Sequence, residues 1–155
     1  MTRNMKKATA KLEIRRGGID LSKFCDPDSP LIYRHSPWRA GGVVFATDGS
    51  ILIEVPAAAA PLVRPPCKAS RVPRAAELLM PWPERGWLPW PNSENFGSEL
   101  INRKHFLLVR KLPGIEWNQR AQDGEMIFFR FDGGRGAIAT ADQSQAGDAA
   151  WGNKT

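Results

Sequence analysis

The chain has 155 residues, 42% of them apolar and 25% charged, with 14 Gly and 13 Pro. That balance excludes collagen-like and wholly disordered chains, and the length suits a single domain spanning 1–155. The formal charge of +6 is concentrated at one end: residues 1–16 carry six basic side chains against Glu13, a net of +5, which leaves a body of only +1.

No apolar run approaches the ~18 residues of a membrane-spanning helix, and the opening MTRNMKKATAKLEIRR lacks the apolar stretch of a signal peptide. The expectation is a soluble, cytoplasmic protein with no membrane partner, in which Cys25 and Cys67 are free thiols. The basic arm, residues 1–7 with Lys6 and Lys7, either tracks phosphates or acts as a solubilising tail.

In chain order, Ala8 to Ile14 alternates apolar and charged residues and predicts a strand. Asp20 stands before Leu21-Ser22-Lys23-Phe24-Cys25 as the cap of a short helix that Pro27 stops. Asp26 to Ala40 reads as irregular. Val43 to Thr47 and Ser50 to Val55, joined at Asp48-Gly49, predict a hairpin, because Asp-Gly accepts the positive φ of a tight turn and β-branched residues flank it. Pro56 ends that hairpin.

Nine of the 13 prolines fall between Pro56 and Pro91, so residues 56–98 read as a Pro/Trp-rich insertion without regular sheet, with one helical turn at Arg74 to Leu79. Order returns at Glu99-Leu100-Ile101, a short strand. Asn102 then caps a helix over Arg103 to Lys111 that Leu112-Pro113-Gly114 closes. Ile115 to Arg120, Met126 to Phe131 and Gly136 to Thr140 predict a three-stranded meander turning at Asp123-Gly124 and Gly133-Gly134. Residues 142–155 read as a loosely ordered tail. The pattern of strand, helix and antiparallel strands occurs twice, which predicts an α+β fold with two short helices packed on one face of antiparallel sheet.

The stretch Ile101 to Pro113, with Ile115-Glu116 and the meander after it, resembles the second helix and last strands of a domain of the bacterial DNA sliding clamp family. Ala46-Thr47-Asp48-Gly49 resembles a clamp hairpin, and Ser22 to Cys25, Leu112 to Gly114 and Phe129 to Gly134 are similar to segments of uncharacterised bacteriophage proteins. The likeness spans about two thirds of the chain. A clamp subunit has three such domains, whereas this chain has one plus the insertion, so the resemblance does not imply a ring closed around DNA. It implies helices that present basic side chains to a duplex, here Lys23, Arg103, Lys104, Arg110 and Lys111. The alternative is an ordinary solvated face, with Arg110 and Lys111 complementing the helix C-terminus.

Two partner classes follow. One is nucleic acid or a nucleoprotein complex, met by a non-catalytic accessory factor of a phage or mobile element through those five residues with Lys6 and Lys7. The other is a host defence or replication protein, met by an inhibitor (an anti-CRISPR, for example) through Trp82, Trp87 and Trp90, which in a proline-stiffened loop lose little entropy on insertion. The competing reading has the tryptophans covering a sheet face. Cys25, His35, Cys67 and His105 have the atom types of a zinc site without the close ligand spacing, and Asp26, Asp28, Asp48, Asp123 and Asp132 sit where aspartate caps its own turn. No cofactor, metal or catalytic residue is expected. A single clamp-like domain also leaves two sheet edges, which either the insertion covers or a second copy pairs in a homodimer.

Overall fold

The computed structural model describes residues 11–12, 19–60, 63, 75–96, 99–119 and 126–140. The basic arm with Lys6 and Lys7, Cys67, the Asp123-Gly124 turn and the 142–155 tail lie outside them. Strands and α-helices are numbered in chain order.

Lys11–Leu12 (β1) pairs with Ile19–Asp20 (β2), and a 3₁₀ turn follows at Leu21–Phe24. Asp20 caps that turn, its Oδ1 accepting from the Ser22 amide at 3.0 Å. A second 3₁₀ turn, Ile32–Arg34, precedes Trp38–Ala40 (β3), Val43–Thr47 (β4) and Ile51–Pro56 (β5). The insertion contributes a helical turn at Ala75–Leu78 (α1) and a strand at Leu88–Pro89 (β6). Asn95–Phe96 (β7) then pairs with Glu99–Leu100 (β8), leading to the helix Arg103–Val109 (α2). Asn102 caps α2 by accepting from the Lys104 amide at 2.8 Å, and Gly114 at φ +66° turns the chain beyond it. Glu116–Gln119 (β9), Met126–Phe131 (β10) and Gly134–Ala139 (β11) complete the chain order.

The main sheet is antiparallel with strand order β3-β4-β5-β11-β10-β9-β6. Its plan is a doubled unit. Each half runs from a short strand through a helical segment into a three-stranded meander, and the two meanders join through their last strands, β5 and β11. Both helical segments cover the same sheet face, where Leu21, Phe24, Phe106 and Val109 pack on Val44, Ile51, Ile53, Ile127, Phe129 and Ile138. The opposite face carries Phe45, Leu52, Phe128, Ala137 and Ala139 under Tyr33, Trp38, Ala75 and Leu79. Strand residues therefore alternate between two cores, which is why β4, β5 and β10 read as nearly continuous apolar runs.

Three sequence expectations need correction. Asp26 to Ala40 is not wholly irregular: Trp38 pairs with Phe45, and β3 lengthens the sheet because its indole finds a core position 3% exposed. The insertion does enter regular sheet, since β6 pairs with β9 through Leu88↔Trp117 and covers one edge of the meander. Finally, Gly134 pairs with Phe131, so the two-residue turn is Asp132-Gly133, with Gly133 at φ +115°. Among the described residues no helix is long and apolar enough to cross a membrane.

Of the two glycines of β11, Gly136 leaves the less room for a side chain. A Cβ there would collide with the Leu52 carbonyl oxygen and with Cζ of Phe129, whose ring lies over its glycine partner. Gly136→Ala should therefore cost about 2 kcal/mol or more of unfolding free energy, as overpacking does when backbone must move. Urea denaturation checks it, and an unchanged midpoint would contradict this close approach.

Candidate nucleic-acid interface and the opposite face

Helix α2 has buried residues His105, Phe106 and Val109 on one side, while Arg103, Lys104, Arg110 and, just beyond, Lys111 are exposed. The 3.6-residue period separates the two sets, and burial of the apolar side aims the cations at solvent. Lys23 is exposed between buried Leu21 and Phe24 on the neighbouring 3₁₀ turn. All five basic residues expected at a duplex thus stand on the outer side of one helical layer.

Among the described residues their charges are mostly uncompensated. Arg103 pairs with Glu94 at 3.2 Å, but at 67% side-chain exposure such a pair contributes little. Arg110 sits 5.6 Å from the Phe106 ring centroid. Among the described residues, Lys23, Lys104, Arg110 and Lys111 have no carboxylate partner.

Beneath this layer His105 and Asp48 link the two halves. His105 Nε2 is 2.9 Å from Asp48 Oδ2, with both side chains largely buried. Asp48 also caps its own turn, Oδ1 accepting from the amides of Ser50 at 2.8 Å and Ile51 at 3.1 Å. Burial works to raise the Asp48 pKa, but the hydrogen bond and charge of His105 and the two amides outweigh it and hold the carboxyl below the usual aspartate range. His105 Nδ1 is buried without a hydrogen-bond partner among the described residues. The turn role of Asp48 was readable from Asp-Gly. Its link to His105 was not, since 57 residues separate them and no spacing rule connects them.

Cys25 lies close enough to Asp48 to feel its charge. Burial first, with the Asp48 and Asp20 charges behind it, pushes its thiol up to about 12 against the Thr47 backbone hydrogen bond that lowers it. A thiol held protonated in this way is a poor nucleophile at neutral pH. His35 is engaged elsewhere, with Nε2 2.5 Å from the Ser29 carbonyl oxygen. Among the described residues no group of three His, Cys, Asp or Glu is placed to hold a metal ion.

The structure divides the three tryptophans of the insertion. Trp90 packs on the helical face, 4.8 Å from Phe96 and 5.9 Å from Phe106 between ring centroids. Trp82 and Trp87 lie together on the opposite face, 5.2 Å apart, with Trp82 5.3 Å from Phe128. Strand β6 crosses the sheet edge between Trp87 and Trp90. All three indoles are half-buried.

Beside Trp82 and Trp87 runs a row of charges across four strands that sequence reasoning missed. Glu116 faces Arg130, Arg130 faces Arg135, and Arg135 faces Glu54 in the β9-β10-β11-β5 register. Arg130 Nη2 is 2.7 Å from Glu116 Oε1, and Arg135 Nε is 2.5 Å from Glu54 Oε1. Each guanidinium also stacks on an indole, Arg130 at 4.4 Å from the Trp87 ring and Arg135 at 4.7 Å from Trp82. Facing arginines repel, and the flanking carboxylates and rings offset that cost. The row depends on strand register, which no single segment encodes.

Comparison with family models, with curated proteins and with solved structures finds no match to this chain.

The Asp48 carboxyl makes a definite pH prediction. Its pKa is lowered by folding, so its contribution is full above the unfolded value and drains away as pH falls through the folded one. Asp48→Asn keeps an acceptor for the turn and removes the charge. It should cost about 1 kcal/mol at neutral pH, the difference between a charged and a neutral hydrogen bond. The gap between the two proteins should close as pH drops below about 4. Chemical denaturation at several pH values measures it, and a gap independent of pH would show that the charge does not stabilise the fold.

Proposed function

We propose that the protein is a non-catalytic, nucleic-acid-associated factor of a phage or mobile element, built on a single sliding clamp-like domain and acting on nucleic acid or a nucleoprotein complex. The observation that carries this reading is the helical layer: Lys23, Arg103, Lys104, Arg110 and Lys111 are exposed together on the two segments that cover one sheet face. The doubled strand-helix-meander order is what the clamp resemblance implies, with the helices on the side a duplex would meet. His105 braces α2 against the Asp48 turn, so the cations sit on a fixed frame. Phosphate contacts of this kind position a protein without reading sequence.

Fluorescence anisotropy with a labelled duplex across a salt series tests the reading. Replacing Lys23, Arg103, Lys104, Arg110 and Lys111 by glutamine should weaken binding and flatten the slope of log K against log salt by about 0.9 for each phosphate that is no longer neutralised. Absence of binding by the unaltered protein at low salt would refute the nucleic-acid reading.

A second reading, inhibition of a host defence or replication protein by direct contact, draws on the opposite face. Trp82 and Trp87 interleaved with Arg130 and Arg135 are the residue types that dominate protein interfaces. It requires a stoichiometric protein complex that Trp87→Ala disrupts while the far-ultraviolet circular dichroism is kept. A complex unaffected by that change would count against it.

A further inference from the structure

On the face opposite the helices, a pocket of about 440 Å³ opens where the β10-β11 turn meets β4 and β5. That volume lies in the range of small-ligand sites. Val43, Pro56 and Trp82 form apolar walls, and Glu54, Arg130 and Arg135 are the charged side chains lining it. The charged groups are only partly used by the fold. Glu54 spends Oε1 on Arg135 Nε, which leaves Oε2 without a hydrogen bond among the described residues. Among the described residues Arg135 donates through Nε to Glu54 and Arg130 through Nε and Nη2 to Glu116, and neither the terminal amino groups of Arg135 nor Nη1 of Arg130 makes a further hydrogen bond. The indoles of Trp82 and Trp87 hold both guanidinium planes in place.

We infer that this pocket binds a guanine base. The side-by-side arrangement of Arg135 and Glu54 presents donors next to an acceptor across adjacent strands. Guanine carries the complementary pattern, with O6 and N7 accepting from a guanidinium and the neighbouring N1–H and N2–H₂ donating to a carboxylate. Adenine and cytosine place an amino donor where guanine has O6, so Arg135 would face a donor. A flat heterocycle also suits walls of proline, valine and indole, since unstacked bases are held between apolar or aromatic surfaces and guanidinium planes. The base is supplied either as a free nucleotide or as one splayed from a single strand; the chemistry in the pocket is the same. The basic helical layer lies on the other side of the sheet, so this pocket is independent of the duplex-binding reading.

Isothermal titration calorimetry with GMP, AMP and CMP, and with short single strands of dG or dA, tests it. GMP, dG strands or both should bind, and the adenine and cytosine counterparts should bind at least about tenfold more weakly. GMP binding identifies the free nucleotide as a source, and binding of dG strands alone identifies the strand. Glu54→Gln should lower guanine affinity by about tenfold or more. Because that change also alters the Arg135 pair, Val43→Trp serves as the second variant: half-buried Val43 lines the pocket two residues from Phe45, the register partner of Glu54, so a larger side chain there fills the space a base would take. It should abolish guanine binding. The glutamine variant of the helical layer should keep it, which separates this site from the duplex-binding reading. Equal binding of all bases, binding of none, or guanine binding that survives Val43→Trp would overturn the inference.

Discussion

The antiparallel pairing of β5 with β11 is the constraint on which the rest of the structure depends. It joins the two meanders into one sheet, and it requires that β11 approach β5 without side chains at 134 and 136. The missing side chains are supplied from the neighbouring strand, where Phe131 faces Gly134 and Phe129 faces Gly136. Aromatic rings thereby cover the backbone that glycine leaves bare, and the centre of the sheet is closed on the helical side.

Once the sheet is continuous, both of its faces must be shielded from water, and the chain solves the two faces differently. The helical side uses two amphipathic segments of similar position in each half, with Phe24 and Phe106 as buried anchors. Among the described residues the other side is covered instead by the 3₁₀ turn with Tyr33, by Trp38 and by residues of the insertion. The prolines of the insertion are compatible with this task because β6 needs only a two-residue pairing at the sheet edge, and Pro89 there limits further strand addition. Trp90 and Trp87 then fall on opposite sides of that edge, so the insertion wraps the meander.

The same division separates two kinds of polar chemistry. The helical layer presents long cations mostly without carboxylate partners among the described residues, which suits a diffuse anionic surface and little sequence reading. On the opposite face the charges are paired, stacked and confined beside a pocket, an arrangement that suits selection of a small group by hydrogen-bond pattern. Between them, the buried His105 and Asp48 connect α2 to the first hairpin through the core. The charge-bearing helix is thus fixed to the half of the domain that does not contain it.

Local chemistry in the sequence determined the elements whose causes are local. The Asp20 and Asn102 caps, the Asp48-Gly49 hairpin, the Leu-Pro-Gly stop and the three strands of the second meander follow from side chains acting on backbone within a few residues. The outward set of cations on α2 was equally legible, because helical period alone separates Arg103, Lys104 and Arg110 from Phe106 and Val109. Tertiary structure decided everything that requires two distant segments to meet. Residues 38–40 and 88–89 became strands only because β4 and β9 offered them unpaired edges, a stabilisation invisible in their own composition. Asp48 met His105, and Glu54, Arg135, Arg130 and Glu116 lined up in one row, because sheet register and core packing brought together residues that no sequence period relates.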